Sequence, residues 1–238
     1  MEHILELTPR LRAAAELVPE GARLADVGTD HGYLPAWLLL EGRIPGAIAA
    51  DLRPGPLDRA RQTAERYGLT GRMDFRLCDG LSGVAPEEVD AVVIAGMGGE
   101  TIAAILSAAP WTGEVERPLI LQPMSAQPFL RQWLQAHGYA IGREVLAREG
   151  ETLYTIFLVR PGPMRPLTPA EAWAGRQSGG EAAPLRGAYL DKLIRRAERA
   201  AAGLGRSTRP SDAPRLADVE QVLAGLRQMK EEWQSWQR

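Results

Sequence analysis

Cysteine is almost absent: the 238 residues contain one, Cys78. A lone thiol makes no internal disulfide and no cysteine-built metal centre, and it fits a reducing, cytoplasmic setting. No metal site is expected. Lysine is nearly missing too, at Lys192 and Lys230 only, so arginine carries the positive charge. No apolar run approaches the roughly 18 residues needed to cross a bilayer, and no membrane partner is expected. The opening residues, Met1-Glu2-His3-Ile4, lack the basic-then-apolar order of a secretory signal. No internal repeat is present. The Gly-x-Gly-x-x-Gly fingerprint of dinucleotide binding is missing as well, because Asp30 stands where its second glycine would fall.

What is present centres on Leu24-Ala25-Asp26-Val27-Gly28-Thr29-Asp30-His31-Gly32-Tyr33-Leu34-Pro35. The apolar run Leu24 to Val27 reads as a buried strand, and Tyr33 to Leu40 as a helix. Gly28 allows a sharp turn and close approach of a ligand to the backbone, while Gly32 allows the helix start to pack tightly. Amides at that helix start would face a ligand. The Asp-x-Gly-x-x-x-Gly pattern suits a nucleoside cofactor without a pyrophosphate, such as S-adenosylmethionine.

The rest of the chain alternates strand and helix. Thr8 to Val18 reads as an amphipathic helix, capped by Thr8, with Arg10 and Arg12 off its apolar stripe. Strands are predicted at Ala47 to Ala50, Met73 to Cys78, Asp90 to Ala95 and Leu119 to Leu121. The helices between them are Pro54 to Tyr67 and Glu100 to Ala108. Ser125 is expected to cap a further helix reaching His137. Tyr139 to Arg148 and Thr152 to Val159 read as a closing pair of strands with Gly150 in their turn. The pattern predicts a mostly parallel seven-stranded sheet with right-handed crossovers and one antiparallel strand at its end. This is the α/β, Rossmann-like architecture of S-adenosylmethionine-dependent methyltransferases. Residues 1–160 are expected to form that domain and 161–184 a linker, with a loop or short helix at Ala170 to Gly180. Residues 185–238 are expected to form an antiparallel coiled-coil hairpin, from stripes at Leu190, Leu193, Ile194, Ala197 and at Val219, Val222, Leu226, Met229. From Pro184 onward there are 11 basic and 7 acidic side chains, against 17 and 23 in the rest. A basic appendage on an acidic body points to a polyanionic partner.

Every polar cluster falls at the carboxyl ends of the predicted strands, where such sheets bind ligands. Asp51, followed by Leu52, lies roughly 20 residues beyond the glycine turn, where an acidic residue accepts from ribose hydroxyls. Asp79-Gly80 is placed for the adenine amino group, and Asp26 for the ammonium of the methionine portion. Thr29, Ala95 and Gly96 complete the expected cofactor set with Gly28 and Gly32. After the fourth strand stands Ala95-Gly96-Met97-Gly98-Gly99, where many amino-methylating enzymes carry Asn/Asp-Pro-Pro-Tyr/Phe. That absence argues against an exocyclic amine as acceptor and permits a ring nitrogen, with Met97, Gly98 and Gly99 lining room for a purine. Ring-nitrogen methylation leaves the base cationic and needs no proton removed first. A carboxylate would stabilise that charge, with Asp30 the first candidate and Glu100 the second. His31 is a candidate to orient the base and Tyr33 to stack on it. Arg10, Arg195, Arg196 and Arg199 are candidate contacts to an RNA backbone, the last three near the hairpin tip.

Together, Asp26 to Pro35, Asp51, Asp79-Gly80-Leu81, Ala95 to Gly99 and Gln122-Pro123-Met124 resemble the bacterial tRNA (adenine-22-N1)-methyltransferases, the TrmK family. The resemblance runs over roughly Thr8 to Val159 and implies methyl transfer from S-adenosylmethionine to N1 of an adenine in the D-arm region of tRNA. The alternatives are a small-molecule methyltransferase or a non-catalytic S-adenosylmethionine-binding protein. A monomer is expected, with a dimer through the helical tail as the alternative.

Overall fold

The computed structural model describes residues 5–178 and 183–237. The expectations for Met1 to Ile4 and for 179–182 lie outside the described residues. Five strands run parallel: β1 (Leu24–Val27), β2 (Ala47–Asp51), β3 (Met73–Leu77), β4 (Ala91–Gly98) and β5 (Leu119–Ser125). Two longer strands, β6 (Tyr139–Glu149) and β7 (Thr152–Pro161), complete a seven-stranded sheet ordered β3-β2-β1-β4-β5-β7-β6. The last strand, β7, is the antiparallel one, as expected, and it lies second from the edge of the sheet. β7 pairs antiparallel with both β5 and β6, so β6 runs with β5 and takes the edge.

Side chains alternate between two cores, as the pleat requires. Leu24, Ala49, Val93 and Ile120 face one core with α1 (Pro9–Ala15) and α2 (Tyr33–Leu40). Ala25, Val92, Ile94 and Leu121 face another with α4 (Gly99–Ala108) and α5 (Gln127–Ala136). β1 and β2 are buried throughout, as internal parallel strands are. α3 (Pro54–Arg66) packs along β2 and β3.

Several boundaries differ from the sequence pattern. α1 ends at Ala15 rather than Val18. β4 does not open into a loop at Gly96. It continues to Gly98 through register shifts between Ala95 and Met97 and again between Met97 and Gly98, and Gly98 pairs with Ser125. Ser125 is therefore a strand residue, and Ala126, with φ = 53°, is the N-cap of α5.

The expected linker carries a helix, α6 (Pro169–Ala174), capped by Thr168, whose hydroxyl accepts from Glu171 N–H. α7 (Arg186–Gly205) and α8 (Asp212–Trp236) form the expected hairpin. Its core of Leu190, Leu193, Val222 and Leu226 takes in Ala170 and Ala174 of α6 and packs on Leu146 and Leu153 of the β6–β7 ribbon. Two buried arginines bind these parts together. Arg131 of α5 forks onto Glu144 (Nη2 to Oε2 2.6 Å) and donates through Nη1 to the carbonyls of Ala172 and Trp173 at 3.0 and 2.9 Å. Arg186 of α7 donates to the carbonyls of Ala174 (2.5 Å) and Gly175 (2.9 Å). These contacts satisfy the open carbonyl end of α6.

Candidate active site

Two cavities, of about 380 and about 300 Å³, open at the carboxyl ends of β1, β2 and β4. Both are lined by Gly28, Asp30, Ala95 and Gly96. The first adds Asp51, Leu52, Arg53, Asp79, Gly80, Met97 and Ile105. The second adds Arg10, Asp26, Thr29, His31 and Tyr33.

The turn after β1 is shaped by glycine. Gly28 has φ = 72°, and a Cβ there would lie 2.1 Å from the Met97 methyl, so the bare backbone is covered by that thioether. Gly32, at φ = 66°, caps α2, and a Cβ there would lie 3.0 Å from that of Ala60 on α3. Between them Asp30 holds φ = 49°, a conformation that costs a non-glycine residue about 1–2 kcal/mol.

Asp26 is buried at the end of β1 and accepts from Thr29 Oγ1 at 2.6 Å. Burial pushes its carboxyl up to about 6, partly opposed by the Thr29 hydroxyl and assisted by the charge of Asp51. A carboxylate so placed is held at a cost until a cation meets it. Arg10 lines the same cavity. Its Nη1 donates to Gln122 Oε1 at 2.7 Å, and the same oxygen accepts from Gly96 N–H at 3.0 Å. Gln122 is wholly buried, so the guanidinium is anchored from behind. One cavity thus presents a carboxylate and a guanidinium, the complement of an α-ammonium and an α-carboxylate.

In the other cavity Asp51 Oδ1 accepts from Arg53 N–H at 2.9 Å. Oδ2 has no hydrogen-bond partner among the described residues and is available to a ligand hydroxyl. Asp79 and Gly80 lie opposite on the loop after β3. The donor set fits an aminoacyl nucleoside: carboxylates for ribose and base at one end, the Asp26 and Arg10 pair at the other.

At the junction, Asp30 Oδ1 accepts from Arg59 Nη2 at 2.5 Å, and Oδ2 lies 3.8 Å from His31 Nε2. His31 stacks on Tyr33 with centroids 5.0 Å apart and planes 15° apart. This pair forms an aromatic ledge at the mouth, Tyr33 being 40% exposed.

Not all candidates converge. Gly98 and Gly99 line neither cavity. A Cβ at Gly99 would lie 2.6 Å from Ala126 O and one at Gly98 3.2 Å from Ser125 Oγ, so glycine there serves the crossing of β4, β5 and α5. Glu100 is exposed on the first turn of α4 and lines neither cavity. Arg195, Arg196 and Arg199 sit midway along α7 rather than at the hairpin tip, with Arg196 over the Trp173 ring at 5.3 Å. Arg10 faces the cavity of Asp26 instead of the outer surface expected of a phosphate contact. Arg59 and Gln122 carry no local sequence signal for their roles, since each acts through a contact made only in the fold.

A sheet ordered 3-2-1-4-5-7-6, with acidic strand ends around a glycine turn, defines a Rossmann-like, S-adenosylmethionine-dependent methyltransferase. The family model described as "Methyltransferase domain" matches residues 7–157. A Bacillus subtilis (strain 168) tRNA (adenine(22)-N(1))-methyltransferase is 39% identical over 158 residues, 66% of each chain, so the match spans just under two thirds of that enzyme's length. A Streptococcus pneumoniae protein solved with S-adenosyl-L-methionine is 34% identical, with 92% of this chain and 100% of that one covered at a TM-score of 0.78. M. capricolum TrmK, solved with S-adenosyl-homocysteine, is 25% identical, with 94% and 98% covered at 0.79. The chain belongs to the TrmK family of tRNA (adenine-22-N1)-methyltransferases.

Asp51→Ala is expected to weaken S-adenosylmethionine binding about 10- to 100-fold, the worth of hydrogen bonds to a charged acceptor at about 1.5–3 kcal/mol. Isothermal titration would read this, with an unchanged circular dichroism spectrum as the control for folding.

Proposed function

We propose that this protein methylates N1 of adenine-22 in tRNA. The observation that carries this reading is the junction of the two cavities, where one exposed carboxylate, Asp30, stands between the expected donor site and an aromatic ledge. Bound there, S-adenosylmethionine supplies an electrophilic methyl group, which passes to the N1 lone pair as the carbon–sulfur bond breaks and its electron pair returns to sulfur. Asp26 and Arg10 hold the amino-acid end, and Asp51 and Asp79 the nucleoside. His31 and Tyr33 stack on the adenine and align N1 with the methyl group, which is most of what such a displacement needs. Asp30 faces the positive charge that develops on the base. Arg10 is here assigned to the cofactor carboxylate rather than to RNA.

The hairpin supplies the RNA backbone contact. It packs on Leu146 and Leu153, beside the β6–β7 turn. Glu149, the last residue of β6 before that turn, accepts the Arg10 backbone N–H at 2.8 Å, which ties the ribbon beneath the hairpin to α1 beside the site. Replacing Arg195, Arg196 and Arg199 together by alanine should weaken tRNA binding at least tenfold and flatten its salt dependence by two to three ions, about one per lost phosphate contact. Filter binding across a salt series measures both. We place the enzyme in the cytoplasm as a monomer. Among the described residues, no helix is long and apolar enough to cross a membrane.

The test is incubation with methyl-labelled S-adenosylmethionine and unmodified tRNA transcript, followed by nucleoside mapping. Label in 1-methyladenosine at position 22 is expected. Absence of label from RNA would overturn the assignment in favour of a small-molecule acceptor or of binding without catalysis.

A further inference from the structure

Arg59 is tied to the site by backbone packing. Gly32 and Ala60 hold α3 against the loop after β1, and Arg59, one residue before Ala60, reaches back to Asp30. The pair is open to solvent, with side chains 43% and 63% exposed. Exposed ion pairs are worth only about 0–1 kcal/mol, so a better partner for either member displaces the other.

The pairing is at odds with the task assigned to Asp30. A carboxylate already matched by a guanidinium stabilises a nearby cation less than a bare one does. A guanidinium is also the side chain best suited to fork onto a phosphate. We propose that Arg59 exchanges partners when RNA docks: it holds Asp30 in the free enzyme and moves to a backbone phosphate beside the target nucleotide in the complex. Asp30 is then left facing the base. The exchange makes and breaks no covalent bond. It couples RNA backbone recognition to exposure of the charge that methyl transfer uses, so a purine lacking the neighbouring phosphate leaves Asp30 neutralised. This inference rests on the tRNA methyltransferase assignment.

The test compares Arg59→Gln and Arg59→Lys with Arg61→Ala. Arg61 lies on the same helix but engages Asp58 at 2.9 Å and the Phe75 ring. For Arg59→Gln, tRNA affinity should fall about 5- to 10-fold and the slope of log K against log[salt] by about one. The single-turnover methylation rate at saturating tRNA should stay within about threefold of the parent, since Asp30 is already free in that complex. Arg59→Lys should keep the parent salt slope, and Arg61→Ala should match the parent throughout. S-adenosylmethionine affinity, unchanged in all three, controls for folding. An Arg59→Gln protein with parental tRNA affinity and salt slope but an altered rate overturns the exchange and leaves Arg59 as a fixed partner of Asp30. Failure of the parent itself to label tRNA would overturn the underlying assignment instead, so the two failures are read separately.

Discussion

Asp26→Asn is expected to lose about two orders of magnitude in S-adenosylmethionine affinity while the ligand-free protein becomes more stable. The loss follows from removing one member of a buried charge pair, which typically costs about 2–5 kcal/mol. The gain follows from the carboxyl itself. Burial raises Asp26 from 3.8 to about 6, so the folded state binds its proton more tightly than the unfolded chain does. That preference favours folding below pH 4 and is lost as pH rises toward 6. Above pH 6 the ionised carboxylate costs about 3 kcal/mol, at about 1.4 kcal/mol for each pH unit that separates the folded from the unfolded titration. Asparagine keeps an oxygen to accept from Thr29 and carries no charge to bury. Its stabilising effect should therefore be full at pH 8 and nearly vanish at pH 4, as read by urea denaturation at the two values. Ligand binding has the matching signature. The cofactor ammonium favours the ionised form, so parental affinity should fall up to tenfold per pH unit below pH 6 while that of Asp26→Asn stays level in the same range. A parent whose affinity is flat from pH 5 to 8 would contradict a direct contact between Asp26 and the ammonium.

The acidic strand ends are legible in the sequence, whereas other parts of the site are not. Asp51 closes the apolar run of β2, Asp26 lies within that of β1 and Asp79 follows the alternating β3, each near a strand's carboxyl end, a position set by local pattern. The parallel sheet follows from the same alternation of strand and helix. The glycine run at the end of β4 misleads because glycine has two uses that sequence does not separate. Gly96 opens on both cavities, whereas Gly99 is small because the backbone of Ala126 passes 2.6 Å from where its Cβ would be. Arg10 escapes the local pattern for a related reason. It lies off the apolar stripe of α1, which suggests solvent, but the buried Gln122 draws it inward from 112 residues away. Arg59 and α6 depend equally on long-range contacts, the latter on Arg131 and Arg186 supplied by helices on either side of it in the chain.

Asp30→Asn is expected to lower the methylation rate about 10²- to 10³-fold at saturating tRNA and cofactor, the usual cost of removing one group aimed at developing charge. Neutral adenine becomes a cation as its N1 takes the methyl group, so the electrostatic demand rises along the reaction and is largest after the barrier. A fixed carboxylate at the cavity junction meets that demand without reorganising. Proton abstraction is not the task, because N1 of adenine carries no proton to remove. Asparagine tolerates the left-handed backbone that Asp30 adopts at φ = 49°, and its side-chain oxygen still accepts from Arg59, so the turn should persist. Cofactor affinity should accordingly stay within about twofold. Asp30→Ala should lose a similar factor in rate, since the charge and not the shape is what the reaction uses. A rate loss confined to Asp30→Ala, with Asp30→Asn near the parent in a single-turnover assay, would show that Asp30 serves the geometry of the turn and that the developing charge is met by another group.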